Sequence, residues 1–540
     1  MNEIILITLA VLSTTVQVVL LVIFSIITGW FLAYGSIKSK IFENIYIIFI
    51  EIFESVPVIT FFPIVLIIFI TRIGGPLGTQ IATDFLVFTA VVWNIWMGEY
   101  QAFKTVPNEM VEVTENSKFG LFSKLRYLYI PFSVPRIAAN LFPSVSDGFF
   151  YITVSEVFTV GIHSYQTFGV GSVLDTFVAD ANLHAIYTTL IILGIFIIGI
   201  ILILREFSKY AVSKYTLDTD TPVLKRGRLN LRETTRVFAA LSKNPLSRLS
   251  KYYKYRETEN HEEKYEKKQK KKKYYKYIYA AIGILVLILI LYESISLILS
   301  VKISTWDILF SKTGYLLYGL GYDYLRVLTI LLVSMLIAIF LGYYLAVNKK
   351  AELFGIPIIQ TLSAYPAPIY FPFLFILTEP YIISVFGGFT NELYVLSLGF
   401  VSTFYYVLYS FWMGVKAMPG EYWEITRNLK LGFFKKMRKV ILPSTFPYLI
   451  SGISSTINSA WGGLMIGEYW PDIYGTHTLE VHTGLMKTID LATANGQIAL
   501  AAWGSLIFGI VVAIYSVIFT RRMMDVAQKK YVAEEGIYSS

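Results

Sequence analysis

Among its 540 residues the chain has no cysteine, which excludes a disulfide framework, a thiol nucleophile and a cysteine-based metal site. Charge is scarce as well. Only 15% of the residues are Asp, Glu, Lys or Arg, against about 25% in an average soluble domain. A phosphate-binding G-x-x-x-x-G-K-[ST] loop is missing, and no nucleophile, base and carboxylate group together. These gaps exclude ATP hydrolysis by the chain itself and point to a protein that is not an enzyme. The N-terminus lacks a basic stretch, and its apolar run from Ile4 to about Tyr34 is too long for a signal core; no cleavable signal peptide is expected.

What is present is apolar: 55% hydrophobic residues, 16% aromatic, and a mean hydropathy of +0.59. Lipid is the expected solvent. A spanning helix needs roughly 20 apolar residues. By that measure spans are expected near 4–34, 46–71, 83–103, 137–158, 184–205, 277–300, 316–347, 355–386, 391–414, 446–469 and 497–520. The class is therefore an all-α integral membrane protein with about eleven transmembrane helices. Basic residues are one-sided. Lys38, Lys40, Lys104, Lys118, Lys124, Arg126, Lys349, Lys350, Lys416, Arg427, Lys430, Arg438, Arg521 and Arg522 fall with the linker on one side; Arg72, Lys302, Lys312 and Lys487 fall on the other. Cytoplasmic loops carry the Lys/Arg excess, so the N-terminus is expected outside and the C-terminus in the cytoplasm, in a multi-pass plasma-membrane protein.

One polar stretch occurs twice. Val106-Pro-Asn-Glu-Met-Val-Glu112-Val-Thr114 leads to Gly120 and then to Pro131 and Pro135. Met418-Pro-Gly-Glu-Tyr-Trp-Glu424-Ile-Thr426 leads to Gly432 and then to Pro443 and Pro447. The offset is constant: 419−107, 424−112, 432−120 and 443−131 all give 312. Pro107 and Pro419 suit the first turn of a helix, and Gly120 and Gly432 are expected to cap its C-terminus in the left-handed conformation. Elsewhere Gly29/Gly342 match at 313 and Pro57/Pro366 and Pro63/Pro372 at 309. Gly74-Gly75/Gly387-Gly388 match at 313, Glu156/Glu468 at 312, Gly171/Gly484 and Asn182/Asn495 at 313, and Arg205/Arg521 at 316. The chain thus divides into a first half, 1–215, a basic cytoplasmic linker, 216–276, an extra transmembrane helix, 277–300, and a second half, 301–540. The extra span makes the two halves, of about five spans each, parallel rather than inverted.

A Glu opening a short helix, a Gly eight residues on and a Pro eleven beyond resembles the EAA loop of ABC importer permeases, with Glu112-Val-Thr and Glu424-Ile-Thr where that family has Glu-Ala-Ala. The resemblance implies that Glu112, Thr114, Gly120, Pro131, Glu424, Thr426, Gly432 and Pro443 form two cytoplasmic coupling helices. It also implies two ABC ATPase subunits as partners, which hold the ATP and Mg, no cofactor in this chain, and an extracytoplasmic binding protein that delivers a small solute. Ser-Ala-Tyr-Pro366-Ala-Pro-Ile-Tyr-Phe-Pro372 resembles the nitrate/sulfonate/taurine branch, which implies an anion.

Other segments carry chemistry of their own. Intramembrane carboxylates are costly and by default functional. Asp147, near mid-bilayer, therefore either lines the solute pathway or makes an interhelical hydrogen bond; its counterpart at 312 is Ser459. Glu156 and Glu468, near the outer end of the same span, suit a pathway rim or an interfacial carboxylate, and Glu51 and Glu54 are weaker candidates. His477, Glu480 and His482 are close enough for a metal site, but the spacing fits an ordinary loop better. The run Lys264–Lys273 suits a solvated tether near anionic head groups; without a supporting fold or aromatic platform, nucleic acid is not an expected partner. The alternative to an importer permease is a secondary transporter or channel with parallel internal repeats.

Overall fold

The computed structural model describes residues 3–55, 62–160, 163–180, 182–215, 302–418, 420–473 and 477–515, with Ile518, Arg522 and Met523. The linker, the extra span 277–300, Pro57, Pro419 and Arg521 lie outside the described residues. Residues 1–219 and 312–540 form one compact unit. Residues 220–311 form a separate one, of which 302–311 are described, mostly as the first turns of a helix.

In the first half the order is α1 (Glu3–Lys38), α2 (Lys40–Ser55), α3 (Phe62–Ile73), α4 (Gly75–Lys104), α5 (Asn108–Asn116), α6 (Leu121–Lys124), a π-turn (Leu125–Tyr129) and α7 (Ile130–Ser155). A hairpin of β1 (Val157–Val160) and β2 (His163–Gln166) follows, then α8 (Val170–Ala179) and α9 (Leu183–Tyr215). The second half repeats this order: α10 (Ile303–Ile337), a π-turn (Ala338–Gly342), α11 (Tyr343–Val347), α12 (Lys349–Ala364), α13 (Ala367–Phe386) and α14 (Thr390–Ala417). Then come α15 (Gly420–Asn428), α16 (Phe433–Lys436), a π-turn (Met437–Ile441), α17 (Leu442–Gly467), β3 (Tyr469–Ile473), β4 (His477–Glu480), α18 (Leu485–Ala494) and α19 (Ile498–Tyr515). Among the described residues seven helical segments are long and apolar enough to cross a membrane.

Each spanning helix divides its surface between lipid and protein. In α1, Ile5, Leu9, Leu20 and Phe24 are exposed, while Ile7, Val11, Val18 and Val22 are buried against neighbouring helices. A helix of this length, 36 residues, runs about 54 Å at 1.5 Å per residue, well beyond a 30 Å hydrocarbon core, so part of it stands clear of the lipid. In the second half α14 packs along α17, where small residues allow close approach: a Cβ on Gly463 would lie 3.0 Å from the Gly399 Cα. Trp461, fully buried, closes this core against Phe508 and Tyr324, with ring centroids 5.0 and 4.9 Å away.

The expected span 355–386 is broken in two. Proline restricts the preceding residue to extended backbone, and Tyr365 (φ −75°, ψ 118°) duly ends α12 before Pro366 starts α13. Glycines turn the chain outside these segments, Gly74 and Gly387 at φ 92° and 54°. The halves interlock: α12 and α13 of the second pack on α7 of the first, and α2 and α3 of the first pack on α19 of the second.

The repeat also realigns two of the expected pairs. Gly169 and Gly484 are the N-caps of α8 and α18, both extended (φ −175° and −177°) and both against the carboxylate that ends the preceding span. The amides of Asn182 and Gln497 close the ends of those helices, onto Phe177 and Ala492. Here 484−169 and 497−182 give 315. The second hairpin region is three residues longer, so Gly171/Gly484 and Asn182/Asn495 are not equivalent pairs.

Candidate functional site

The twice-occurring loop has one geometry in both copies. Helix α5 ends with Ser117, and Lys118 takes the left-handed conformation (φ 52°). The amides of Lys118 and Phe119 return to the carbonyls of Glu115 and Thr114, the two bonds of a Schellman ending. After α15, Lys430 is left-handed (φ 46°), with Lys430 and Leu431 bonded to Arg427 and Thr426. The left-handed residue is therefore a lysine, and the expectation for the glycines is corrected. Gly120 and Gly432, at φ −71° and −64°, are extended and start α6 and α16. Helix capping is decided by distance from the last turn, and the glycines lie two residues too far on.

Thr114 and Thr426 are buried, their hydroxyls donating to the Val111 and Trp423 carbonyls at 2.8 Å each. A small buried side chain thus stands at this position in both loops. Glu112 and Glu424 are exposed, with no hydrogen bond or ion pair among the described residues. Beside them stand Val113 and Ile425, 63% and 45% exposed, and, on the short helices that follow, Phe122 and Phe434, 76% and 77% exposed. Pro131 and Pro443 sit in the first turn of α7 and α17, each just after a π-turn; a residue without an N–H cannot continue the i→i−4 ladder, and the ladder shifts there in both copies.

Each loop is tied to its spans. Met110, Val111, Leu125 and Tyr129 pack with Phe103 at the end of α4, and Tyr422, Trp423 and Met437 pack with Val415 at the end of α14. Lys104, ending α4, meets Glu43 of α2 at 2.6 Å, and Lys416, ending α14, meets Glu352 of α12 at 2.8 Å. This ion pair recurs at offsets 312 and 309 (416−104, 352−43). Lys104 and Tyr100 hold the Glu43 carboxyl below the usual range. In the first loop Glu115 bridges Lys124 (3.1 Å) and Lys38 (3.8 Å), and Lys124 holds its carboxyl low. Arg427 replaces Glu115 in the second copy, so the two loops present different charge.

At the opposite end, Glu156 and Glu468 are fully buried and hold the N-termini of α8 and α18. Glu156 accepts from Thr14 Oγ1 (2.6 Å) and from the Gly171 amide. Glu468 accepts from the Lys487 amide and from Arg326, both at 3.0 Å, while Asp323 accepts from the Leu485 and Met486 amides. Arg326 also pairs with Asp323 (3.1 Å) and Glu392 (2.6 Å). Carboxylates suit a helix N-terminus, where N–H groups and the dipole converge. Neither Glu156 nor Glu468 lines the cavity described next. Asp323 and Arg326 went unread in the sequence, although two charges three residues apart inside an apolar span are a signal of function or pairing. His477 pairs with Glu379 at 2.8 Å and Glu480 with Lys487 at 2.7 Å.

Between the halves lies a cavity of about 80 Å³. Asp147 lines it, as do Glu54 and Ser459. The Tyr406 hydroxyl donates to Asp147 and is hydrogen-bonded to Ser459. Asp147 and Ser459, one position of the repeat, thus meet through a tyrosine at the interface. Tyr365, at the break between α12 and α13, lines the cavity and donates to the Leu190 carbonyl of α9 at 2.7 Å.

Residues 334–531 match the family described as binding-protein-dependent transport system inner membrane component. Among curated proteins, the chain is similar to an aliphatic sulfonates transport permease protein, SsuC, of Bacillus subtilis (strain 168), 27% identical over 24% of this chain and 44% of that protein. It is similar to the nitrate import permease protein NrtB of Synechococcus elongatus (strain ATCC 33912 / PCC 7942 / FACHB-805), 24% identical over 28% of this chain and 52% of that protein. The NrtB of Leptolyngbya laminosa is 29% identical over 14% and 31%. The chain spans about half or less of the length of these relatives. The likeness to importer permeases, read first from the loops, and to their nitrate/sulfonate branch, read from Pro366 to Pro372, is borne out by these matches.

Proposed function

We propose, taking the permease domain matched at 334–531 as the premise, that the whole chain is the transmembrane component of an ATP-binding-cassette importer with two permease domains, 1–215 and 301–540, fused in one polypeptide. The carrying observation is the duplicated loop: a short helix, a left-handed lysine, an extended glycine and a π-turn, each copy tied to the ends of its spans and each presenting an exposed acid beside exposed apolar side chains. Apolar groups held out in water beside a carboxylate suit docking to a protein groove. In this reading α5 and α15 are cytoplasmic coupling helices, one for each of two ATPase subunits. The N-terminus is outside, the C-terminus is inside, and the hairpins face an extracytoplasmic binding protein. Because α5 is fixed to α1, α4 and the π-turn before α7, displacement of the loop by a closing ATPase moves those spans as a lever, and the cavity between the halves changes access. The relatives' names suggest an anion as solute; the cavity's own lining does not favour one.

The test is recovery of ATPase subunits with the purified chain. Glu112→Lys and Glu424→Lys should each lower that recovery and abolish most solute uptake. Unchanged recovery and uptake in both would refute the coupling role.

A further inference from the structure

We propose that the cavity between the halves selects a small cation, a solute with a guanidinium-, amidinium- or ammonium-type group, with Asp147 as its counter-charge. The inference rests on the permease reading and names the solute class for it.

Three observations carry it. First, the formal charge lining the cavity is of one sign: Asp147 and Glu54, with no Lys, Arg or His among the described lining residues. A buried anion without a basic partner or a set of N–H donors is strongly disfavoured. One helix start, that of α13, does reach the cavity at Pro366 and Ala367, but it offers an anion little. Pro368 has no N–H, and the Ile369 amide already bonds the Pro366 carbonyl, which leaves the Ala367 amide alone among the first three positions of that helix. Second, the Ser146 hydroxyl lines the cavity, is 3% exposed, and has no hydrogen-bond partner. Buried polar atoms are normally satisfied, so this one points to a ligand or water as its partner. Ser146 is adjacent to Asp147, and its counterpart in the repeat, Asn458 (458−146 = 312), lines the same cavity. Third, Trp93, Tyr151, Tyr365, Tyr405 and Tyr406 line the cavity, and the face of such a ring attracts a cation and not an anion. Tyr406 does not use up Asp147, since a carboxylate accepts several hydrogen bonds.

Guanidinium, urea and nitrate are all small, planar and three-armed, and differ in charge. They are titrated into the purified full chain in lipid nanodiscs at constant ionic strength, read by tryptophan fluorescence and by calorimetry. Guanidinium should bind saturably, about tenfold or more tighter than urea, the scale of one charge-assisted contact, and nitrate should not compete. Asp147→Asn should abolish that preference for guanidinium over urea, and Asp147→Glu should keep part of it. Should Asp147→Asn fail to fold, the selectivity of the unaltered chain still decides. Nitrate binding as tight as guanidinium, urea binding as tight as guanidinium, or no saturable binding of guanidinium overturns the proposal. ATPase recovery is read separately. Nitrate selectivity with intact ATPase docking overturns only the cation proposal, while guanidinium selectivity without docking overturns only the importer reading.

Discussion

Replacing Arg326 by Met should be the most damaging single change at the hairpin end of the second half. Its guanidinium, 5% exposed, reaches Glu392 at 2.6 Å, Glu468 at 3.0 Å, Asp323 at 3.1 Å and the Thr483 carbonyl at 2.8 Å. Methionine fills similar space but leaves Asp323 and Glu468, both fully buried, without their counter-charge. Removing one partner from a buried ion pair costs about 3–5 kcal/mol. Residues 1–219 and 312–540 unfold as one compact unit, and at about 2.1 cal/mol/K per residue the shift is about 1 °C per kcal/mol, so the melting temperature should fall by about 3–5 °C. The first half supplies the comparison. There Thr14 does the corresponding work without charge, donating to Glu156 and accepting from the Val170 amide at 2.9 Å. Thr14→Val should therefore cost about 1–3 kcal/mol, the range for leaving a buried polar group unsatisfied. Thermal unfolding of the purified chain in detergent, followed by size-exclusion chromatography of heated samples, reads both. An Arg326→Met chain that melts with the parent, or above Thr14→Val, would refute the reasoning.

Lys118→Gly and Lys430→Gly should each stabilise the loop locally by about 1 kcal/mol, since an L-residue in the left-handed region bears about that strain; hydrogen exchange at the amides of Phe119 and Leu431 would slow. Gly120→Ala and Gly432→Ala should change little, because nothing lies within 4 Å of the added Cβ, and strong destabilisation would contradict the extended backbone found there. The Glu43 carboxyl is held below its usual range by Lys104 and Tyr100, so the pair's stabilisation is complete above the ordinary Glu pKa of about 4.3 and is lost as pH falls through the lower folded value. Glu43→Gln should flatten that acid-side loss in a melting profile. In the cysteine-free chain, single cysteines at Glu3 and Thr478 should label from outside, and those at Asn108 and Gly420 only after permeabilisation; outside labelling at Gly420 would reverse the orientation.

The sequence shows most clearly what depends on composition and on period. Apolar runs place the spanning segments in outline, because lipid leaves the backbone few alternatives to helix, but they misplace some starts, as at 316 against Ile303, and do not foresee the break at Pro366 inside 355–386. The constant offset of 312 is enough by itself to locate both loops. What escaped depends on tertiary contact. The hairpins are strands of four or five residues between long helices, too short for a period-2 pattern to register. Hairpin lengths that differ by three residues misled the pairing of Gly171 and Asn182. The left-handed position falls on a lysine, where residue preference argues for glycine. Asp147 reads in the sequence as a lone acid opposite Ser459; only the packing of the halves brings in Tyr406 from α14. Ser146, a serine among many in the spans, carries no signal in the sequence at all.

That the two loops are docking helices for ATPases is tested most directly by photo-cross-linking. A photoreactive residue is placed at Val113, Phe122, Ile425 or Phe434 in the intact membrane, and the adducts are identified by mass spectrometry. Docking helices predict adducts from both loops to proteins carrying a G-x-x-x-x-G-K-[ST] phosphate loop. Adducts from neither loop to such a protein, in membranes that take up the solute, would contradict the docking role.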